Sequence, residues 1–342
     1  MTMMQAGLYI SEKQVKADSI EKPAPQPGEA LIKVAFAGIC GTDMMIYSGK
    51  HPRAKAPLAM GHEFSGVIES INSIGSPSSF AAGDRVVIEP TLSCGSCAAC
   101  RSGAFHVCQT LKLLGIDKHG GFAEYAAVPL DRLHRIPDEL TDTHAAMAEP
   151  VAVAVHTIRR SSLKVGDDVA ILGAGPIGLL VGLMAKQAGA GQIIISDISP
   201  YRLKKAEQFG LTALNAKEVN VTEEVLKRTG GNGADVVFEV AGSQLTANQM
   251  IEAVRTQGQV VVVSVYKQAP TIDLAAMHFR ELSLTTTRCY SKDDFAKAIR
   301  LMTSGAIDVS PFISHILPLE QVERGFQLMA DPEASLKVLF KP

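Results

Sequence analysis

From Val169 onward the chain alternates apolar, β-branched runs with helical stretches, and no other feature restricts the fold as much. VAILGA precedes PIGLLVGLMAKQA, QIIISD precedes PYRLKKAEQF, DVVFEVAG precedes QLTANQMIEAV, and the strand QVVVVSV follows. Alternation of this kind predicts a parallel sheet covered by helices. Ser199-Pro200 marks one helix start, an N-cap serine followed by proline in the first turn. The uncharged run Val169 to Ala185 is broken by GAGP and is short for a bilayer span, so a buried strand, a glycine turn and a buried helix account for it better.

The first strand-to-helix link is Gly173-Ala174-Gly175-Pro176-Ile177-Gly178, which fits G-x-G-x-x-G. The first glycine permits a tight turn, the second lets backbone approach a pyrophosphate, and the third allows close helix–strand packing. A helix N-terminus there supplies N–H groups and a positive dipole end. Asp197 ends the next strand, about 20 residues on, where a carboxylate accepts hydrogen bonds from a ribose and repels a 2′-phosphate. The expectation is NAD rather than NADP, with Arg202 close enough to soften the preference. The bland reading is a glycine turn without a ligand; strand, helix and acid together argue against it.

Before Pro150 the character is different. EALIKVAFAGIC, HEFSGVIESI and GDRVVIEP read as short strands, punctuated by PAPQPG, GSPSSFAAG and a cysteine-rich loop. AEPVAVAVHTIRRSSL has helical composition, and SKDDFAKAIRLMTSG near the end reads as a further helix before short strands that could return to the first domain. At 342 residues two domains are expected. A net charge of -2 gives no electrostatic reason to expect nucleic acid or an anionic membrane, and 5% aromatics with no tryptophan offers no stacking platform. MTMMQAGLYISEKQVK lacks the basic-then-apolar pattern of a signal peptide, so clustered cysteines point to a reducing cytoplasm.

Four of the six cysteines, Cys94, Cys97, Cys100 and Cys108, fall in CGSCAACRSGAFHVC. The C-x2-C-x2-C-x7-C spacing lets one loop surround a tetrahedral ion, and zinc suits four thiolates. A closed shell of four sulfurs leaves no position for a substrate, so this metal would hold a loop. Disulfides fit poorly without a secretory signal, and the ferredoxin pattern ends in a different spacing. Other candidate ligands are scattered: Cys40 in GICGTD, His62 and Glu63 in GHE, and Glu149 in AEP. Each alone has an ordinary structural reading, and spacing cannot join them.

Taken in order, GICGTD, GHEFSGVI, the four-cysteine loop, GGFAEY, AEP and GAGPIG resemble the zinc-dependent medium-chain dehydrogenase/reductase family, most of all its polyol branch of sorbitol, butanediol and threonine dehydrogenases. The resemblance spans essentially the whole chain. It implies an α/β protein: a GroES-like, mainly-β catalytic domain over residues 1–152, a Rossmann NAD-binding domain with a doubly wound parallel sheet over 153–288, a return to the catalytic domain over 289–342, and a cleft between the domains. It implies two zinc ions per chain, one structural and one catalytic. Cys40 and His62 become ligands of the catalytic ion, with Glu63 and Glu149 competing for the remaining places and Glu63 ranked first. Asp43 would orient His62 through its other ring nitrogen. Thr42 matches the hydroxyl that accepts the substrate's proton. Relatives commonly carry a relay histidine where this chain has Met45; His51 lies nearby and reads as a surface-loop residue. Arg288, grouped with the cofactor-site positions, matches a residue that contacts polyol hydroxyls.

The implied activity is NAD-linked oxidation of a secondary alcohol in a polyol, sugar acid or vicinal diol. Threonine 3-dehydrogenase-like chemistry is the alternative within the class, and a non-catalytic, nucleotide-binding zinc protein the alternative outside it. The implied partners are a small-molecule substrate and further copies of the chain, as a homodimer or homotetramer.

Overall fold

The computed structural model describes residues 2–73 and 78–342. The first three positions of the turn run GSPSSFAAG, 75–77, lie outside the described residues. The chain divides into two compact units, one made of Met1–Glu149 with Ser291–Pro342 and the other of Pro150–Tyr290.

The first unit is built around strand Glu29–Gly38. Its apolar residues Ala30, Leu31, Ile32 and Val34 are buried, and it pairs antiparallel with Glu63–Asn72, Tyr125–Pro129 and Lys337–Lys341. The last of these also lies parallel to Ile313–Pro318, so the C-terminal residues complete a seven-stranded sheet begun by the N-terminal half. Aromatic packing locks that return. The Phe340 ring meets Phe122 edge-on at 5.0 Å, and Phe122 meets Phe326 of helix Val322–Ala330 at 6.1 Å. An N-terminal hairpin, Met3–Ser11 with Gln14–Glu21, escaped the strand reading of the sequence. Its second strand is mostly half-buried or exposed, so it lacks the apolar run that marked the others.

The second unit is the parallel sheet expected from the alternation. Its six strands lie in the order Thr212–Asn215, Ile193–Asp197, Val169–Leu172, Ala234–Glu239, Val254–Val262, Ser283–Thr286, and every pairing is parallel. This is the doubly wound order, with its switch between Val169–Leu172 and Ala234–Glu239. Leu172, Ile194, Val237, Met250 and Val260 form part of its core. Helix Pro200–Gln208 starts as read, with the Ser199 side chain accepting from the Arg202 N–H.

One boundary differs from the sequence reading. The expected helix through Val254 stops at Ala253, and the strand expected from Gln259 begins at once at Val254. Val254 is 1% exposed and pairs with Ala234, so burial against the neighbouring strand takes it from the helix. Gln257, at φ 56, and a register shift between Ala234 and Val236 absorb the bend. Both sheet edges, Thr212–Asn215 and Ser283–Thr286, are short and partly polar, and neither stood out in the sequence.

Candidate functional site

Three strands of the first unit bring one group of side chains together. Strand Glu29–Gly38 delivers Cys40, which sits at the N-cap of helix Gly41–Tyr47. Gly38 pairs with Glu63, the first residue of strand Glu63–Asn72, so GICG and GHE become neighbours across a sheet. Gly61 enters that strand at φ 86, and a Cβ there would lie 2.5 Å from the Phe122 ring, so only glycine allows the chain to present His62 and Glu63 this way.

The ligand atoms of Cys40, His62 and Glu63 all lie within 4.8 Å of one another. His62 and Glu63 are buried, at 4% and 1% exposure. Nδ1 of His62 and Oε1 of Glu63 have no hydrogen-bond partner. Buried polar atoms are normally satisfied; Nδ1 of His62 is turned toward Asp43, and the unpaired Glu63 oxygen beside a thiol and an imidazole suits a cation. Sulfur, nitrogen and oxygen donors together suit zinc. Burial alone would lower the His62 pKa, but Asp43, Cys40 and Glu149 outweigh it and hold it well above the ordinary value. The group already favours positive charge at its centre.

Asp43 is fully buried and accepts from the N–H of Cys40 at 2.8 Å and of Gly61 at 3.4 Å. It therefore fastens the two ligand segments together. Its Oδ1 lies 3.7 Å from Nδ1 of His62, an ion-pair separation rather than a hydrogen bond. Glu149 opens helix Ala148–Arg160 and is buried; it stands outside the three-ligand group, although its charge acts on His62. Thr42 and Met45 are half-buried on the helix Cys40 begins. Nδ1 of His51 accepts from the N–H groups of Ala54 at 3.2 Å and Arg53 at 3.4 Å, which commits that nitrogen to its own turn. Burial and Arg53 lower the His51 pKa.

One member of the site was missed in the sequence. Lys337, 2% exposed, donates to Oε2 of Glu63 at 2.6 Å and to the Ile39 carbonyl at 3.0 Å. Its signal was present: a lysine inside the apolar stretch Leu336 to Phe340. A charge embedded in such a strand needs a buried partner.

The four-cysteine loop is local. Sγ of Cys100 lies 3.5 Å from that of Cys97 and 3.9 Å from that of Cys94, and all four sulfurs are within 4.8 Å of one another. A disulfide requires about 2.05 Å. Sulfurs about 2.3 Å from one tetrahedral zinc stand about 3.8 Å apart, so the cage has the right size. The N–H groups of Ser96 and Cys97 lower the Cys94 pKa to about 5, while burial and neighbouring thiols push Cys100 up to about 12.

In the second unit the glycine loop leaves strand Val169–Leu172 at the switch point and enters helix Pro176–Gln187. Gly173 has φ 113, and a Cβ on Gly178 would lie 1.9 Å from the Gly173 carbonyl oxygen. Gly175 is the N-cap, with Pro176 at the first turn and Ile177 after it; a Cβ on Gly175 would meet nothing within 4 Å. Asp197 accepts from the N–H groups of Ala174 and Ile198 at 2.8 Å and of Ser199 at 3.0 Å. The carboxylate thereby ties the glycine loop to the next strand. Nη1 of Arg202 stands 3.8 Å from it. Arg288 is exposed, two residues beyond strand Ser283–Thr286, with no hydrogen bond or ion pair among the described residues.

Residues 26–138 match the alcohol dehydrogenase GroES-like domain, and residues 176–304 match the zinc-binding dehydrogenase domain. The protein is an oxidoreductase of the zinc-dependent dehydrogenase class, acting on CH–OH groups with a nicotinamide dinucleotide. It belongs to the medium-chain family of these enzymes, as the resemblance of its motifs implied. The 2-dehydro-3-deoxy-L-galactonate 5-dehydrogenase of Pseudoalteromonas atlantica is 38% identical over 337 residues, covering 98% of each chain. The crystal structure of 2R,3R-butanediol dehydrogenase from Bacillus subtilis superposes with a TM-score of 0.92 at 32% identity, over 99% of each chain. A dehydrogenase structure from Sinorhizobium meliloti 1021, bound to NADP, superposes with a TM-score of 0.93 at 32% identity over 100% of each chain. Among the described residues no helix is long and apolar enough to cross a membrane.

Proposed function

We propose that this enzyme oxidises a secondary alcohol of a polyol, sugar acid or vicinal diol to the ketone, with NAD as the preferred acceptor. The observation that carries the reading is the buried Cys40–His62–Glu63 group with its unpaired carboxylate oxygen, in a chain whose relative acts on a sugar acid. Cys40, His62 and Glu63 hold the catalytic zinc; Glu149 supplies charge beside it rather than a first ligand. Cys94, Cys97, Cys100 and Cys108 hold the structural zinc, giving two ions per chain.

Bound zinc supplies Lewis acidity toward the substrate oxygen. Thr42 accepts the substrate's hydroxyl proton at Oγ1, since a hydroxyl can donate and accept at once. Met45 cannot pass that proton on, and His51 has one ring nitrogen already engaged in its own turn, so Thr42 is the residue that would hold the proton before it leaves to water. Gly173, Gly175, Pro176, Ile177 and Gly178 form the pyrophosphate turn. Asp197 has about four lone-pair sites, three of them used by backbone N–H groups, which leaves one to accept from a ribose hydroxyl, while its negative charge repels a 2′-phosphate. Arg202 partly offsets that charge, and Arg288 is the candidate contact for substrate hydroxyls or a carboxylate. Leu284 on the sheet edge is 42% exposed and Phe279, at the end of helix Leu274–Phe279, 83%; these exposed apolar side chains support a homodimer or homotetramer. The reduced cysteines support a cytoplasmic location.

A panel of polyols, sugar acids and diols, read by NADH absorbance, tests the assignment. The expected result is turnover of at least one member, with NAD favoured over NADP by about tenfold in kcat/KM, about 1.4 kcal/mol. Equal use of NADP would mean that Arg202, not Asp197, governs cofactor choice.

A further inference from the structure

Glu63 does not stand alone on its strand. Its partner across the sheet is Gly38, and Gly38 pairs in turn with Leu339 of the C-terminal strand. Residues in register share a face, and Lys337, two positions before Leu339, lies on that face too. The place where a Cβ on Gly38 would sit is 2.6 Å from Oε2 of Glu63, 3.2 Å from Leu339 and 3.5 Å from Cδ of Lys337. The central strand thus leaves a gap, and through it the lysine of one neighbour reaches the glutamate of the other. The lysine is fastened at its base as well, because the Ile39 N–H donates to the Val338 carbonyl at 3.0 Å while Nζ of Lys337 donates to the Ile39 carbonyl.

The two oxygens of Glu63 are therefore unequal. Oε2 is taken by Lys337, and Oε1 is buried without a partner in the group that also contains Cys40 and His62. We propose that Lys337 is a positioning residue for the catalytic zinc: it shares the Glu63 carboxylate with the metal, fixes which oxygen faces the ion, and limits how much negative charge the ligand gives it. This rests on the zinc assignment of the preceding section. Two cations competing for one carboxylate each hold it less tightly than either would alone, and in a buried site that competition is weakly screened. A metal less neutralised by its ligands polarises an alcohol more strongly. The C-terminal return thus tunes the metal, and Gly38 is the vacancy that lets it do so.

The sign of the effect separates this from a bracing role. Holo wild type, Lys337→Met and Cys40→Ser are mixed with excess chelator, and zinc release is followed against an indicator dye. The phase missing from Cys40→Ser belongs to the buried group; if Cys40→Ser still shows both phases, the zinc assignment itself fails and Lys337 is not at issue. Lys337→Met should release that zinc about tenfold more slowly, because Glu63 then serves one cation instead of two, and its kcat per bound zinc should fall about tenfold, a loss of activity of the size usual when a partner of a metal ligand is removed. Should Lys337→Met not accumulate as folded protein, Lys337→Gln keeps a donor for Oε2 without the charge and carries the same two expectations. Zinc release as fast as wild type or faster, or unchanged kcat per zinc, would overturn the proposal.

Discussion

Cys94, Cys97, Cys100 and Cys108 come from one loop, whereas Cys40, His62 and Glu63 come from two strands and are steadied by Lys337 from a third. Within the loop, Cys94 is exposed, and its sulfur is engaged by the N–H of nearby Cys97 at 3.3 Å. The buried group depends on tertiary contacts throughout: the Gly38–Glu63 register, the Asp43 link from Cys40 to Gly61, and the packing of Phe122 over Gly61. A site closed by its own loop can be complete in itself, but it offers four sulfur donors and no unpaired oxygen. A site assembled from the fold can carry unequal donors, an engaged carboxylate and a hydroxyl nearby, which is what chemistry needs.

The comparison breaks first at the two sets of cysteines. Cys40→Ser should remove one zinc and lower kcat/KM by about a thousandfold, several kcal/mol of lost transition-state stabilisation, with Tm nearly unchanged. Metal analysis finding one zinc or none in active wild type would end the two-site account. Thr42→Val comes next, with kcat down about a hundredfold while zinc content and NAD affinity stay near wild type. His51→Ala should change little. A severe His51→Ala defect beside a mild Thr42→Val one would move the proton route to the histidine.

Smaller effects sharpen the contrast. Cys97→Ser should lose the other zinc and make the loop sensitive to proteolysis, yet leave kcat within about threefold, because no ligand of the buried group lies there. A large loss of kcat would show that the loop supports the chemistry after all. Gly61 and Gly95 form a matched pair, at φ 86 and φ 73. Gly95→Ala meets nothing within 4 Å and should cost only the backbone strain, about 1–2 kcal/mol by denaturant titration. Gly61→Ala adds a collision with Phe122 and should cost about 2–5 kcal/mol and release zinc from the buried group. Equal costs would mean that Phe122 yields, and that the assembled site is softer than its packing implies.

Much of the fold was legible because its signals are local. The strand–helix alternation after Val169, the strand–glycine–helix link at 173–178 and the serine–proline helix start at 199–200 each need only a short stretch of chain, and the fold class they led to is borne out. The four-cysteine spacing is local too, and its sulfurs are close enough to share an ion. Short polar edge strands and the Val254 boundary were not legible, because burial against a neighbour decided them over propensity.

By itself, then, the sequence determined the parallel nucleotide-binding sheet, the cysteine cage and a family resemblance, but it could not say whether Cys40 and His62 meet, or choose between Glu63 and Glu149. Sheet register joined Cys40, His62 and Glu63 and left Glu149 outside their group. It also brought Lys337 to Glu63, past a glycine chosen for what it lacks. Pairing between strands sets neighbours by hydrogen-bond register rather than by distance along the chain, so a lysine in an apolar strand announces that it needs a buried partner but no local window says which residue that is.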